Sequence, residues 1–469
     1  MSEVVEQTAA SWPEVVISDV SELIRGVTYS KEHATDKRQD GYTPVLRATN
    51  IQESRLVLES DLVFVPDSNV SANQRLRVGD IVVATSSGSK HLVGKSGLVH
   101  ADWRGSFGAF CAAIRPKANI ESRYLAAFLQ SPSYWKQVGK KALGVNINNL
   151  RRGDIESLTL PLPPLAKQRE IVAELEKQFS RLDEAVANLQ RVKTNLKRYK
   201  ASILKSAVEG RLVETEATLA RREGRTYETG EQLLQRILAQ RRAKWVDRGK
   251  YKEPVKADAA GMGVVPEGWT TASLDMLSTD SGYGTSQKCR YENDGPVVLR
   301  IPNVQHGILD LHDLKFAPTE FKLSQSDAVS SGDMLIIRTN GSKSLIGRAA
   351  VVMADPHRIM SFASYLIRFR LSNVDCIPAW VSIVWQTSQM REWIEAHAAT
   401  SAGQHNVSMT VLAKAAIPVP PVAEQARIVA EVDRHLSIIR EVEAEVDSNL
   451  QRAKALRQAA LAKAFEVRS

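Results

Sequence analysis

The chain has 469 residues, enough at about 150 residues per domain for roughly three folding units and too many for one small module. With 43% apolar and 25% charged residues it is an ordinary core-forming chain rather than a disordered one, and no apolar run nears the roughly 20 residues of a membrane span. Net charge is +9, and the stretch from Arg191 to Glu253, with 17 Lys or Arg against 8 Asp or Glu, carries a surplus of that same size, which points to a polyanion partner or to a solvated basic helix.

The opening residues, MSEVVEQTAASWPEVV, carry acids where a signal peptide is basic, so secretion is disfavoured. Cys111, Cys289 and Cys376 lie far apart, which disfavours a disulfide framework or a cysteine zinc site and fits a reducing cytoplasm.

Residues 1–160 read as mixed α/β. Arg47 and Asn50 follow an apolar run; these residue types read guanine and adenine edges, and they equally make a salt bridge and a turn cap. The β-branched run from Asp80 to Ala84, between Gly and Ser clusters, predicts a strand, and Tyr124 to Leu129 predicts a helix. Between them, Gly88 to Ser96 looks like a phosphate loop, but a Walker A motif has four residues between its glycines and this one has five. Ser89, Lys90 and Lys95 then read as a hydroxyl and two cations on a Gly-rich turn, suited to a nucleic-acid phosphate or base edge, or as incidental members of a glycine hairpin.

Residues 161–210 predict one long helix. Pro163 and Pro164 suit a helix start, and neither Pro nor Gly recurs until Gly210. Leu175, Leu182, Leu189, Leu196 and Ile203 recur every seven residues, with Val172, Phe179 and Val186 ahead of the first members, which is the seam of a coiled coil. Residues 211–263 read as a central basic linker containing a helix from Gly230 to Trp245.

Residues 264–417 return to mixed α/β, with strands at Met334 to Arg338 and Ala349 to Met353 and a helix at Trp380 to Trp385. Arg300 and Asn303 repeat the earlier polar pair, and Ser342, Lys343 and Arg348 repeat the turn while losing the Lys-Ser that a nucleotide and its magnesium need. Residues 418–469 predict a second long helix, with Val432, Leu436, Ile439 and Val446 on its seam before the pattern fades into Ala453 and Ala460.

The chain is thus one plan written twice. PLPPLAKQREIVAEL from Pro161 recurs as PVPPVAEQARIVAEV from Pro418, identical at nine of fifteen positions at an offset of 257, an offset that Trp12 and Trp269 also obey. The sequence shows no HExxH, dinucleotide fingerprint, methyltransferase motif or nucleophile elbow, and His306 and His312 are too loosely spaced for a metal site. A duplicated binding protein fits better than an enzyme.

These motifs, with the polar stretches Asn146 to Leu150 and Gln404 to Ser408, with Pro266-Glu-Gly-Trp269 and with GEQLLQRILAQRRAKW, resemble the specificity subunits of type I restriction-modification enzymes over nearly the full chain. The resemblance departs at Lys167, where the second copy has Glu424 and the family usually has an acid. It implies an α/β (α+β) protein in which two duplicated mixed α/β target-recognition domains are separated by two long antiparallel coiled-coil helices. It further implies a non-catalytic subunit that binds double-stranded DNA, each domain reading half of an asymmetric bipartite site while the helices set the gap. The implied partners are two methyltransferase (modification) subunits, carrying S-adenosylmethionine, and two translocating nuclease (restriction) subunits, using ATP and magnesium; no cofactor or metal belongs to this chain. A coiled-coil scaffold that joins proteins without DNA is the competing expectation.

Overall fold

In a computed structural model the chain forms two units, one made of Met1–Arg191 with Val446–Ser469 and the other of Val192–Glu445. The structure describes residues 12–87, 92–141, 148–245, 249–260, 262–305, 307–324, 326–374, 377–401 and 403–465. Each of the two long helices contributes one part of its length to each unit.

The first unit is built on a four-stranded antiparallel sheet in the order Ser21–Arg25, Cys111–Pro116, Ile81–Ala84, Ser96–Leu98. Ile81 and Val83 face one apolar cluster and Val82 and Ala84 another, so both faces of this strand are covered. That is why its sequence is a continuous apolar run with no alternation. A three-stranded sheet beside it pairs Tyr42–Leu46 with Val63–Pro66 antiparallel and with Ser106–Phe107 parallel.

The second unit repeats this plan. Ser278–Tyr283, Leu366–Leu371, Asp333–Ile337 and Ala349–Val351 form the four-stranded sheet, and Lys315–Phe316, Val297–Leu299 and Met360–Phe362 the three-stranded one. Met334 and Ile336 again face one cluster, Leu335 and Ile337 the other. Both copies open the central strand with Gly-Asp for a physical reason. Gly79 and Gly332 adopt φ of +92° and +83°, and the buried Asp80 and Asp333 pair with Arg115 and Arg370 at 2.7 Å.

Each long helix has 44 residues, Leu165–Val208 and Val422–Phe465, about 66 Å at 1.5 Å per residue. Within the first unit Val172 and Leu175 share a core with Leu461 and Phe465, and Arg457 pairs with Asp183 at 2.7 Å. Within the second, Ile203, Leu204 and Ala207 share a core with Ile428 and Val432, and the Tyr199 hydroxyl lies 2.9 Å from His435 Nδ1. The helices therefore run antiparallel in both. Val172, Leu175, Ile203, Val432, Ile439 and Val446 are buried; Phe179, Leu182, Val186, Leu189, Leu196 and Leu436 are half-buried.

The seam does not fade where expected: Ala453 is buried, and Leu461 and Phe465 end it as large apolar anchors. The glutamine shared by both helix motifs is also accounted for. Gln168 and Gln425 are fully buried, and each donates at 2.8 Å to the carbonyl of a proline just before its helix, Pro163 or Pro420.

The central segment is not a free linker. Its helix Gly230–Ala243 places Leu233, Leu234 and Ile237 in the core of the second unit, and the short helix Glu216–Glu223 precedes it. Glu424 explains the docking: fully buried, it accepts the Glu216 N–H at 2.8 Å and the Trp269 indole N–H at 3.0 Å. Burial pushes its carboxyl above the usual carboxylate range. Lys167, at the equivalent place in the first unit, is exposed and pairs with its helix neighbour Glu170 at 2.7 Å.

Candidate nucleic-acid interface

Of the two readings open for Arg47 with Asn50 and for Arg300 with Asn303, the geometry fits the salt bridge and the turn cap. Asn50 and Asn303 are 0% and 1% exposed, so neither amide reaches a ligand. Asn50 accepts the Arg47 N–H at 2.8 Å and donates to the carbonyls of Val57 and Ser60 at 3.2 and 2.9 Å. Asn303 does the same with Arg300 at 2.8 Å and with Asp310 and Asp313, both at 2.9 Å. The arginines close the same loops, Arg47 on Asp61 and Arg300 on Asp313 at 2.9 Å.

Removing such an amide strands several buried backbone groups. Asn50→Ala and Asn303→Ala are each expected to cost about 2–4 kcal/mol in chemical denaturation. Base preference should stay intact wherever the protein remains folded.

The Gly-rich turns are placed differently from the asparagines. Ser89 and Lys90 lie outside the described residues. Lys95 is half-buried and follows Gly94, whose φ is +89°. Gly347, at φ +73°, is its counterpart; an added Cβ there would lie 2.4 Å from Ile394 Cγ2. The amide N–H groups of Gly94 and Gly347 both donate at 2.8 Å to the central strand, to Ala84 and Ile337. These glycines serve a left-handed turn, and their amides are not free for a phosphate.

The other end of the turn is open. Ser342 and Lys343 are exposed, Ser342 N–H bonds the Asn340 side chain at 2.8 Å, and Lys343 Nζ lies 3.6 Å from Glu395. Arg391 fixes the loop from below, donating to the carbonyls of Lys343 and Ile346 while pairing with Glu395 at 2.6 Å. Arg348 has no acid within ion-pair distance among the described residues, and burial and then the neighbouring Arg391 hold its guanidinium below the usual range. A partly buried cation beside another is stabilised by an anion.

The structure joins two features that stand apart in the sequence. The strand leading into each turn pairs antiparallel with the polar stretch that precedes the helix motif. In the first unit Ser86 pairs with Asn149 and Ser87 with Asn148; in the second Thr339 pairs with Asn406 and Asn340 with His405, with Ala399–Ser401 adding a third strand. Polar residues dominate this ribbon in both copies. In the second unit Arg338 lies at its base with its guanidinium 4.7 Å over the Tyr283 ring. Arg338 Nε and Asn406 Oδ1 have no hydrogen-bond partner among the described residues, which leaves unused polar capacity there.

Among the described residues no group of three His, Cys, Asp or Glu is placed to hold a metal ion, and burial pushes the Cys111 thiol up to about 12, far from a reactive thiolate. No helix among them is long and apolar enough to cross a membrane.

Comparison with known proteins agrees with this plan. The sequence model of the type I restriction modification DNA specificity domain matches residues 10–195. The chain is 30% identical over 454 residues to the type I restriction enzyme EcoKI specificity subunit of Escherichia coli (strain K12), covering 97% of this chain and 88% of that protein. The StySPI specificity subunit of Salmonella potsdam matches with the same identity and the same coverage. In fold, the chain is similar to one solved in work on complex assembly and conformational transition of the type I R-M system, at a TM-score of 0.61 and 18% identity over 97% of both chains. A duplicated α/β unit, the repeated helix motif and full-length likeness to these subunits coincide, and the chain belongs to the specificity subunits of type I restriction-modification enzymes, the non-catalytic components that recognise the DNA sequence.

Proposed function

We propose that each unit reads one half of a bipartite DNA site with the face made by its polar strand pair and adjoining turn. In the first unit this face is Thr85 to Ser87 with Asn149 and Lys95. In the second it is Thr339, Asn340, Ser342, Lys343, Gln404 and His405 with Arg338 and Arg348.

The observation that carries the proposal is the recurrence of this face. Two units that differ through most of their sequence build the same polar ribbon and set a cation, Lys95 or Arg348, behind the same left-handed glycine. Hydroxyls and amides suit base edges, and the cations suit phosphates. Because the ribbons differ in sequence, the two half-sites differ and the whole site is asymmetric.

The partners proposed with this reading are two methyltransferase subunits, which hold S-adenosylmethionine, and two nuclease subunits, which use ATP and magnesium. The paired helices set the unread gap and dock the methyltransferases. Co-purification with the methyltransferase is expected to give two of its chains per copy of this one, measurable by native mass spectrometry.

The face itself is tested by salt. Lys343→Ala and Arg348→Ala are each expected to lower the slope of log affinity against log salt by about one unit, the loss of one phosphate contact. Slopes equal to that of the unmodified protein in both variants would remove this face from the interface.

A further inference from the structure

A second feature recurs beside the polar ribbon, and it is apolar. Phe110 is 69% exposed and Tyr365 57% exposed, unusual exposures for aromatic rings. Single exposed apolar residues are ordinary, but these two stand at the same point of the duplicated plan. Each occupies the third position of a tight turn between a strand of the three-stranded sheet and the strand beside the central one. The first turn closes with the Cys111 N–H on Gly108 O at 2.8 Å, the second with the Leu366 N–H on Ala363 O at 2.9 Å.

Both turns are pinned to the candidate interface by backbone. The Phe110 carbonyl accepts the N–H groups of Thr85 and Ser86 at 2.9 and 3.2 Å, and the Tyr365 carbonyl accepts the Arg338 N–H at 2.9 Å. Gly108 and Ala363 donate to Leu46 and Leu299 at 2.9 and 2.8 Å. On the far side the chain passes so close that only glycine fits: a Cβ on Gly26 would lie 2.1 Å from Gly108 O, and one on Gly284 2.4 Å from Ala363 O. The ring is therefore presented to solvent on a fixed backbone, next to the ribbon, at little entropic cost on binding.

Phe110 has no hydrogen-bonding atom, so among major-groove features it matches only the apolar one, the thymine C5-methyl. We propose that Phe110 and Tyr365 are specificity-determining residues, each packing on the methyl group of one thymine in the half-site of its own unit. The proposal rests on the reading of the ribbon face as the DNA-binding face.

The test uses the chain purified with its methyltransferase partner and duplexes in which each thymine of the site is replaced, one at a time, by deoxyuridine, which lacks only the methyl. The unmodified protein is expected to lose about fourfold in affinity at one position in each half-site, the worth of one buried methyl. Phe110→Ala should bind the intact site about fourfold more weakly and abolish the deoxyuridine effect in one half-site only; Tyr365→Ala should do so in the other, and Tyr365→Phe should retain it.

Arg348→Ala, read by its salt slope, separates the two levels of the argument. A lowered slope with deoxyuridine profiles unchanged in both alanine variants, or with no deoxyuridine effect at all, overturns the aromatic assignment and leaves the face standing. Slopes unchanged in both Lys343→Ala and Arg348→Ala, together with unchanged profiles, overturn both.

Discussion

Glu424→Lys is expected to destabilise the second unit by about 3–5 kcal/mol, while the reciprocal change at the same point of the duplication, Lys167→Glu, shifts stability by no more than about 0.5 kcal/mol. The asymmetry follows from what each side chain touches. Glu424 is fully buried and accepts the Glu216 N–H and the Trp269 indole. A lysine there turns both donors into orphans and buries an ammonium where their acceptor stood. Arg427 sharpens the effect, because it pairs with Glu216 at 2.7 Å and would face the new cation. Among the described residues Lys167 has only the exposed pair with Glu170, and an acid in the first turn of a helix is mildly favourable. Denaturant midpoints of the two variants measure the difference. Limited proteolysis between Arg211 and Arg225 should show the central segment released in Glu424→Lys alone, and equal resistance in both variants would mean that Glu424 does not hold it.

Much of the fold was legible because the duplication is written in side chains whose reasons are local. Prolines start the helices, leucine and valine at a seven-residue spacing mark the seam, and unbroken β-branched runs mark strands covered on both faces. What was not legible depends on contacts between distant parts of the chain. Asn50 carries the same amide whether it meets a base or three backbone groups, and only the loop folding back over it decides. The pairing of Ser86 with Asn149, or of Asn340 with His405, joins segments more than 60 residues apart, so the two halves of the candidate face looked like separate motifs. Leu461 and Phe465 sit off the heptad count and matter because the first unit offers them Tyr124 and Phe128, at ring distances of 5.1 and 5.6 Å from Phe465. The central segment read as a linker because its charge is basic; its apolar Leu233, Leu234 and Ile237 lie on one buried face. Phe110 and Tyr365 gave one faint signal, an aromatic at matching positions in the stretches Phe107 to Cys111 and Phe362 to Leu366, hidden by the divergence around them.

Inserting one heptad into each long helix, after Leu189 and after Val446, is expected to abolish methylation of the original site and to create a preference for one with a longer centre. Leu189 and Val446 lie where the helices pass from one unit to the other, so the insertion leaves the core of each unit untouched. A whole heptad keeps the half-buried seam in register, and matched insertions in antiparallel helices keep their partners aligned. Seven residues add about 10 Å of helix, which is about three base pairs at 3.4 Å each. Three pairs also turn one half-site by about 100° around the duplex, since a turn holds about 10.5 pairs, so the old site fails in angle as well as in distance. The half-sequences should be unchanged, because no residue of either candidate face has moved within its unit. Adenine methylation in a library whose gap varies one pair at a time reads both parts of the expectation at once. A peak displaced by about three pairs identifies the helices as the ruler; a peak that stays in place assigns the spacing to the methyltransferase partners, with the two units still reading their halves.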